Sequence, residues 1–160
     1  MNLTQNDRLN QVTADTLVVG VDIGSKTHFA RGFDWRGYEF SKRAFRFNNT
    51  KVGFLTFIRW VEEMMRKTEK TKVIVGCEPT GCYWLTFQKF LRDRDILLVT
   101  VNPYSVKKCK ELDDNSPEKS DLKDPKTIAG LVREGRYSAP YLPEGVYAEI
   151  REAQVCRDQI

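Results

Sequence analysis

The sequence predicts an α/β domain in which a mixed five-stranded sheet carries helices on both faces. Three observations predict it. The stretches TLVVGVDIG (16–24), KVIVGCE (72–78) and DILLVTV (95–101) are nearly unbroken apolar runs, as strands buried on both faces are. Between the first two lie segments that alternate apolar with charged or polar residues, the period of a strand with one wet face. The long connections carry apolar residues at i, i+3, i+4, the period of a helix packed on a sheet.

Taken in order, residues 1–15 are polar and read as a flexible arm. Residues 16–24 form the first strand and Asp22 interrupts its apolar run. Residues 27–35 and 38–47 alternate and are joined by Arg36-Gly37, so the first three strands read as an antiparallel meander. Asn48-Asn49-Thr50 offers N-cap residues for a helix over 51–69, whose stripe is Phe54, Phe57, Ile58, Val61, Met64 and Met65. The strand 72–78 stops at Pro79, which has no N–H for a ladder. A helix from Thr80 or Gly81 follows, then the strand 95–101, ended by Asn102-Pro103. A short helix is expected over 104–111, a polar loop over 113–119, and a helix in SDLKDPKTIAGLVREG that Gly135 terminates. Residues 139–145 read as a linker. Residues 146–160 return to helical spacing through Val146, Ile150, Ala153, Cys156 and Ile160. That stripe reads as the start of a coiled-coil helix in a chain that looks truncated, and a helix-mediated homodimer or higher oligomer would cover it. The order β-β-β-α-β-α-β-α is that of the ribonuclease H-like fold, with residues 16–138 as its domain.

Composition bounds the function. A chain of 160 residues with 41% hydrophobic content supports one domain with a core. No apolar run reaches the roughly 18–20 residues of a membrane helix, and the polar N-terminus has no signal-peptide core, so a cytoplasmic protein without a membrane partner is expected. Cys77, Cys82, Cys109 and Cys156 match no zinc spacing and read as structural. His28 is the lone histidine; it cannot complete a zinc site with the acids here, and a structural role is expected of it.

Two apolar strands carry an acid at or near their ends, Asp22 and Glu78. A carboxylate there is costly unless paired or bound to a cation. Asp121 and Asp124, in KSDLKD, are one helical turn apart and can close the same cluster. Hard oxygen ligands of this kind suit Mg²⁺ or Mn²⁺, and two such ions support phosphoryl transfer. Each acid has a structural alternative. Asp22 could form the turn in Asp-Ile-Gly-Ser, and Glu78 could cap a helix. Pro125 favours the first helical position, which would make Asp124 an N-cap; Ser120 could instead cap a turn holding both acids. Lys26, Lys107, Lys108, Lys119 and Lys123 surround these acids and would contact nucleic-acid phosphates. Arg31, Arg36, Lys42, Arg43, Arg46 and Lys51, interleaved with aromatics, read equally as nucleic-acid surface or as the solvated face of a sheet.

The stretches VGVDIGSKTH, VGCEPTGCYW, VTVNPYSVKK and KSDLKDPKTIAGLVREGRY run in order between residues 17 and 137. They resemble the N-terminal domain of the IS-one-ten transposases, the DEDD or Piv-type recombinases of bacterial insertion sequences. The resemblance implies a RuvC-like domain with the DEDD tetrad on Asp22, Glu78, Asp121 and Asp124, which are then both catalytic and metal-binding. It also implies Mg²⁺ (or Mn²⁺), a guide (bridge) RNA, donor and target DNA, and a nucleophilic serine in a second domain beyond Ile160. The function expected is that of a metal-dependent DNA transposase or site-specific recombinase acting in strand cleavage and transfer. Two alternatives stand beside it. One is a non-catalytic nucleic-acid-binding module. The other is a fragment of an actin-like or sugar-kinase-like ATPase, suggested by VGVDIGS but opposed by the chain's length and the lack of a second D-x-G loop.

Overall fold

The computed structural model describes residues 3–113 and 124–139. The described elements are α1 (Gln5–Asn10), β1 (Thr16–Asp22), β2 (Thr27–Phe33), β3 (Phe45–Asn48), α2 (Lys51–Thr68), β4 (Lys72–Cys77), α3 (Tyr83–Arg92), β5 (Leu97–Thr100), α4 (Pro103–Asp113) and α5 (Asp124–Arg133). The strands form one sheet in the order β3-β2-β1-β4-β5. β1 pairs antiparallel with β2, and β2 with β3, whereas β1 pairs parallel with β4, and β4 with β5. This is the ribonuclease H-like arrangement, a mixed sheet with its longest apolar strand at the centre.

Side chains alternate across β1, and the two sides enter two cores. Leu17, Val19 and Val21 join Val75, Cys77 and the α2 and α3 residues Phe54, Phe57, Phe87 and Leu91. Val18 joins Ile74, Val99, Val106 and the α5 residues Ile128, Ala129, Leu131 and Val132. Six of the seven β1 residues are therefore buried, which explains why its sequence does not alternate. Burial holds the Cys77 thiol protonated, its pKa raised far above the ordinary range.

Several boundaries differ from the sequence reading. Within the stretch expected as an arm, residues 5–10 form α1, opened by a reciprocal capping box between Thr4 and Asp7. It is held by distant groups: Arg8 Nε donates to the Gly135 carbonyl (2.8 Å), and the Tyr137 hydroxyl to the Arg8 carbonyl (2.9 Å). The third strand is much shorter than 38–47. Glu39 bridges Phe33, but then the Ser41 hydroxyl takes the Gly32 N–H (3.1 Å), and regular pairing resumes at Phe45. A side chain occupying a ladder bond interrupts the strand. α3 begins at Tyr83 rather than Thr80 or Gly81, because Gly81 sits at φ +70 and the Thr80 N–H turns back onto the Glu78 carbonyl (2.8 Å). Asp124 and Pro125 are the first described residues of α5, and the residues before them, where the expected cap and Asp121 fall, lie outside the described residues. α5 stops before Gly135, as expected. The expected helix at 146–160 lies outside the described residues.

Candidate metal centre

The parallel register between β1 and β4 places the first two acids. Val21 stands opposite Cys77, so Asp22 and Glu78, each one residue further, leave adjacent strands side by side. Neighbouring strands lie about 4.8 Å apart, so the two residues stand at the same end of the sheet on adjacent stretches of backbone. The alternation that sends Val18 and Ile74 into the α5 side of the sheet sends Asp22 and Glu78 the same way. Both residues are half-buried. Asp22 also interacts with other groups of the chain.

Asp124 belongs to a helix whose seating on β1 only glycine permits. α5 lies across β1 so closely that a Cβ on Gly20 would fall 1.9 Å from the Pro125 carbonyl oxygen and 2.9 Å from the Ala129 nitrogen. Further along, Ile128 and Val132 lie over Gly76 of β4. The helix thus crosses β1 at Gly20, two residues before Asp22 in the strand, and Asp124 is the first of its described residues. There Asp124 Oδ1 is ion-paired with Lys110 Nζ of α4. The same oxygen is buried and has no hydrogen-bond donor aligned on it.

The acids are all carboxylates, the class that suits Mg²⁺ or Mn²⁺, but the buried Asp124 oxygen already faces the Lys110 ammonium. Among the described residues, which include Asp22, Glu78 and Asp124, no three His, Cys, Asp or Glu side chains lie close enough to hold a metal, so the expected cluster is not brought together by these three. Asp121 lies outside the described residues, as do Lys119 and Lys123. Of the other basic residues, Lys26 is exposed in the turn between β1 and β2. Lys107 and Lys108 are exposed on α4, where Lys108 pairs with Glu111 (3.8 Å) and its Nζ stands 5.4 Å from the Tyr104 ring centroid. The basic and aromatic run 31–51 divides in two. Arg31 is tied to Glu39 and Arg36 to Asp34, while Phe33 and Phe47 are core residues; Lys42, Arg43, Arg46 and Lys51 face solvent.

The sequence does not single out Lys110, Gly20 or Asn49 as site residues. Lys110 sits in a row of lysines and shows its role only once α4 meets α5. Gly20 reads as one more small residue in an apolar strand. Asn49 is one of three N-cap candidates. Thr50 takes the cap by accepting from the Gly53 N–H (3.0 Å), which leaves Asn49 to other partners.

A transposase family, DEDD_Tnp_IS110 of the IS-one-ten group, matches residues 19–160 of the chain. No match was found among curated proteins. Among solved structures, T. thermophilus RuvC in complex with a Holliday junction substrate is similar to 78% of this chain and 99% of that one, at 15% identity and a TM-score of 0.49.

Proposed function

The chain belongs to the DEDD transposases of the IS-one-ten group, and from that premise we propose that it carries the metal-dependent site for DNA strand cleavage and transfer. The observation that supports this reading is the parallel register of Val21 with Cys77, which puts Asp22 and Glu78 next in line on two neighbouring strands. Asp22, Glu78 and Asp124, together with Asp121, would hold Mg²⁺ or Mn²⁺. A bound divalent ion supplies Lewis-acid stabilisation to a phosphate undergoing displacement. The chain's part is to hold the carboxylates oriented, and to receive the phosphate backbone on Lys26, Lys107 and Lys108, joined by Lys119 and Lys123. Recombination that conserves bond energy needs a covalent link between protein and DNA; in this reading a serine outside the RuvC-like domain provides it, and a bridge RNA selects the donor and target.

The ion pair between Lys110 and Asp124 favours a second reading, in which a lysine permanently neutralises the site and the domain binds nucleic acid without cutting it. The deciding experiment incubates the chain with guide RNA, donor and target DNA and Mg²⁺, and follows DNA nicking on a denaturing gel. Nicking that disappears on Asp22→Asn and on chelation supports the metal-dependent reading. Retained DNA binding with no metal-dependent nicking, in a preparation that includes the serine-bearing region, supports the second.

A further inference from the structure

The four-residue turn after Asp22 is held by two side chains that the proposed chemistry does not use. Gly24 donates its N–H to His28 Nδ1 (3.1 Å). Because that N–H can only donate, Nδ1 accepts, the ring proton sits on Nε2, and Nε2 donates to Asn49 Oδ1 (3.1 Å). Asn49 then donates Nδ2 to the Ser25 carbonyl (3.1 Å) and its own backbone N–H to the Lys26 carbonyl (2.8 Å). Three consecutive residues of the turn are therefore fixed by one histidine–asparagine pair. The turn is also tight: a Cβ on Gly24 would fall 2.4 Å from the Thr27 carbonyl oxygen.

The anchor of this pair is deep. His28 is fully buried, with its ring centroid 5.2 Å from that of Phe47, 5.9 Å from Phe87 and 6.2 Å from Phe54. These rings belong to β3, α2 and α3, so the imidazole cannot shift unless the core of one face shifts with it. Asn49 carries that rigidity outward to the turn, two residues beyond Asp22.

We infer that His28 and Asn49 are positioning residues, which fix the turn between β1 and β2 and thereby the direction in which Asp22 leaves the sheet. The inference rests on the reading of Asp22 as a metal ligand. Outer-shell partners that orient a metal ligand typically contribute about 10–100-fold in metal affinity.

The test uses the ¹⁵N-labelled 160-residue chain, Mn²⁺ alone as the probe, and the variants Asn49→Ala, Asn49→Asp and Asp22→Asn. Amide exchange at Gly24 reports the turn, and paramagnetic broadening during Mn²⁺ titration reports affinity, both well below the melting temperature. Asn49→Ala is expected to speed Gly24 exchange at least about tenfold and to weaken Mn²⁺ binding by about tenfold, with β4 amides unchanged. Asn49→Asp keeps an acceptor for His28 but not the donor to Ser25, so it should fall between Asn49→Ala and wild type. A role confined to stability would leave the Mn²⁺ affinity of the folded variants unchanged. That result overturns the inference while wild-type binding, lost in Asp22→Asn, upholds the metal reading. Wild type that binds no better than Asp22→Asn removes the metal reading, and the positioning role falls with it.

Discussion

Gly20→Ala adds one methyl group at the closest approach of α5 to the sheet, and its effect can be worked from the geometry. The new Cβ would stand 1.9 Å from the Pro125 carbonyl oxygen, whereas real Cβ atoms essentially never come closer than 3.0 Å to such an atom. The obstacle is backbone, so no side-chain rotation relieves it. α5 must retreat by about 1.1 Å at least, and it takes Asp124 with it. Overpacking of this kind costs about 1–3 kcal/mol, and for a domain of this size each kcal/mol lowers Tm by about 2–4 °C. A misplacement near 1 Å in a catalytic constellation costs on the order of 100-fold in rate. Calorimetric melting measures the first effect, DNA nicking by the full-length protein the second, and Mn²⁺ titration of the same preparation reports whether metal affinity falls with them. Gly130→Ala is the matched control. It lies in the same helix, and the nearest atom to its added Cβ is in the Arg133 guanidinium at 4.0 Å, so it should stabilise by about 0.5–1 kcal/mol. A Gly20→Ala protein with wild-type Tm and wild-type Mn²⁺ affinity would refute the placement of α5 on β1, and with it the route by which Asp124 reaches Asp22.

Two further outcomes are expected. Burial lowers the His28 pKa below its ordinary 6.5, against a smaller opposing effect of the Asn49 hydrogen bond. Between the folded and unfolded values the unfolded chain binds the extra proton, so this contribution to stability is whole above about pH 6.5 and is lost as pH falls towards the lowered folded value. The slope in that window is at most about 1.4 kcal/mol per pH unit for one proton. Urea unfolding at stepped pH measures it, and a His28→Gln chain with the same slope would count against the assignment. For nucleic acid, replacing Lys107 and Lys108 together by Ala should lower the slope of log affinity against log salt by roughly 0.7–0.9 for each phosphate that is no longer neutralised; an unchanged slope would remove α4 from the binding surface.

The central strands are legible in the sequence because burial on both faces leaves an unmistakable apolar run, and Asp22 and Glu78 stand out at the ends of two of them. α1 is not legible. It is six residues long, and what holds it in place comes from Gly135 and Tyr137 at the other end of the fold. The interruption of the third strand depends on one hydroxyl, Ser41, replacing a ladder acceptor for Gly32, and nothing in the alternation of 38–47 announces that. At the candidate site the acids can be named from sequence but their local partners cannot. Lys110 meets Asp124 only through the packing of α4 on α5, a tertiary fact with no signature of its own. The structural role expected of His28 holds, since it is buried and doubly hydrogen-bonded; its link to the Asp22 turn runs through Asn49, which sequence alone offers as a helix cap.

The seating of α5 on the central strand also sets a timetable for the nascent chain. β1 is synthesised early, but its Val18 side is covered by Ile128, Ala129, Leu131 and Val132, about a hundred residues later. Contacts so distant in sequence close slowly, since chain entropy is lost before they form. The α2 and α3 side can assemble first, around Phe54, Phe57 and Phe87, leaving the opposite side of the sheet open until α5 emerges. In the proposed site Asp124 rides on that helix, so its carboxylate would join those of Asp22 and Glu78 only after α5 has docked. A ribosome-bound or partly folded chain would thus carry Asp22 and Glu78 without their third acid, and a DNA-cutting centre would stay unassembled until the domain around it is complete.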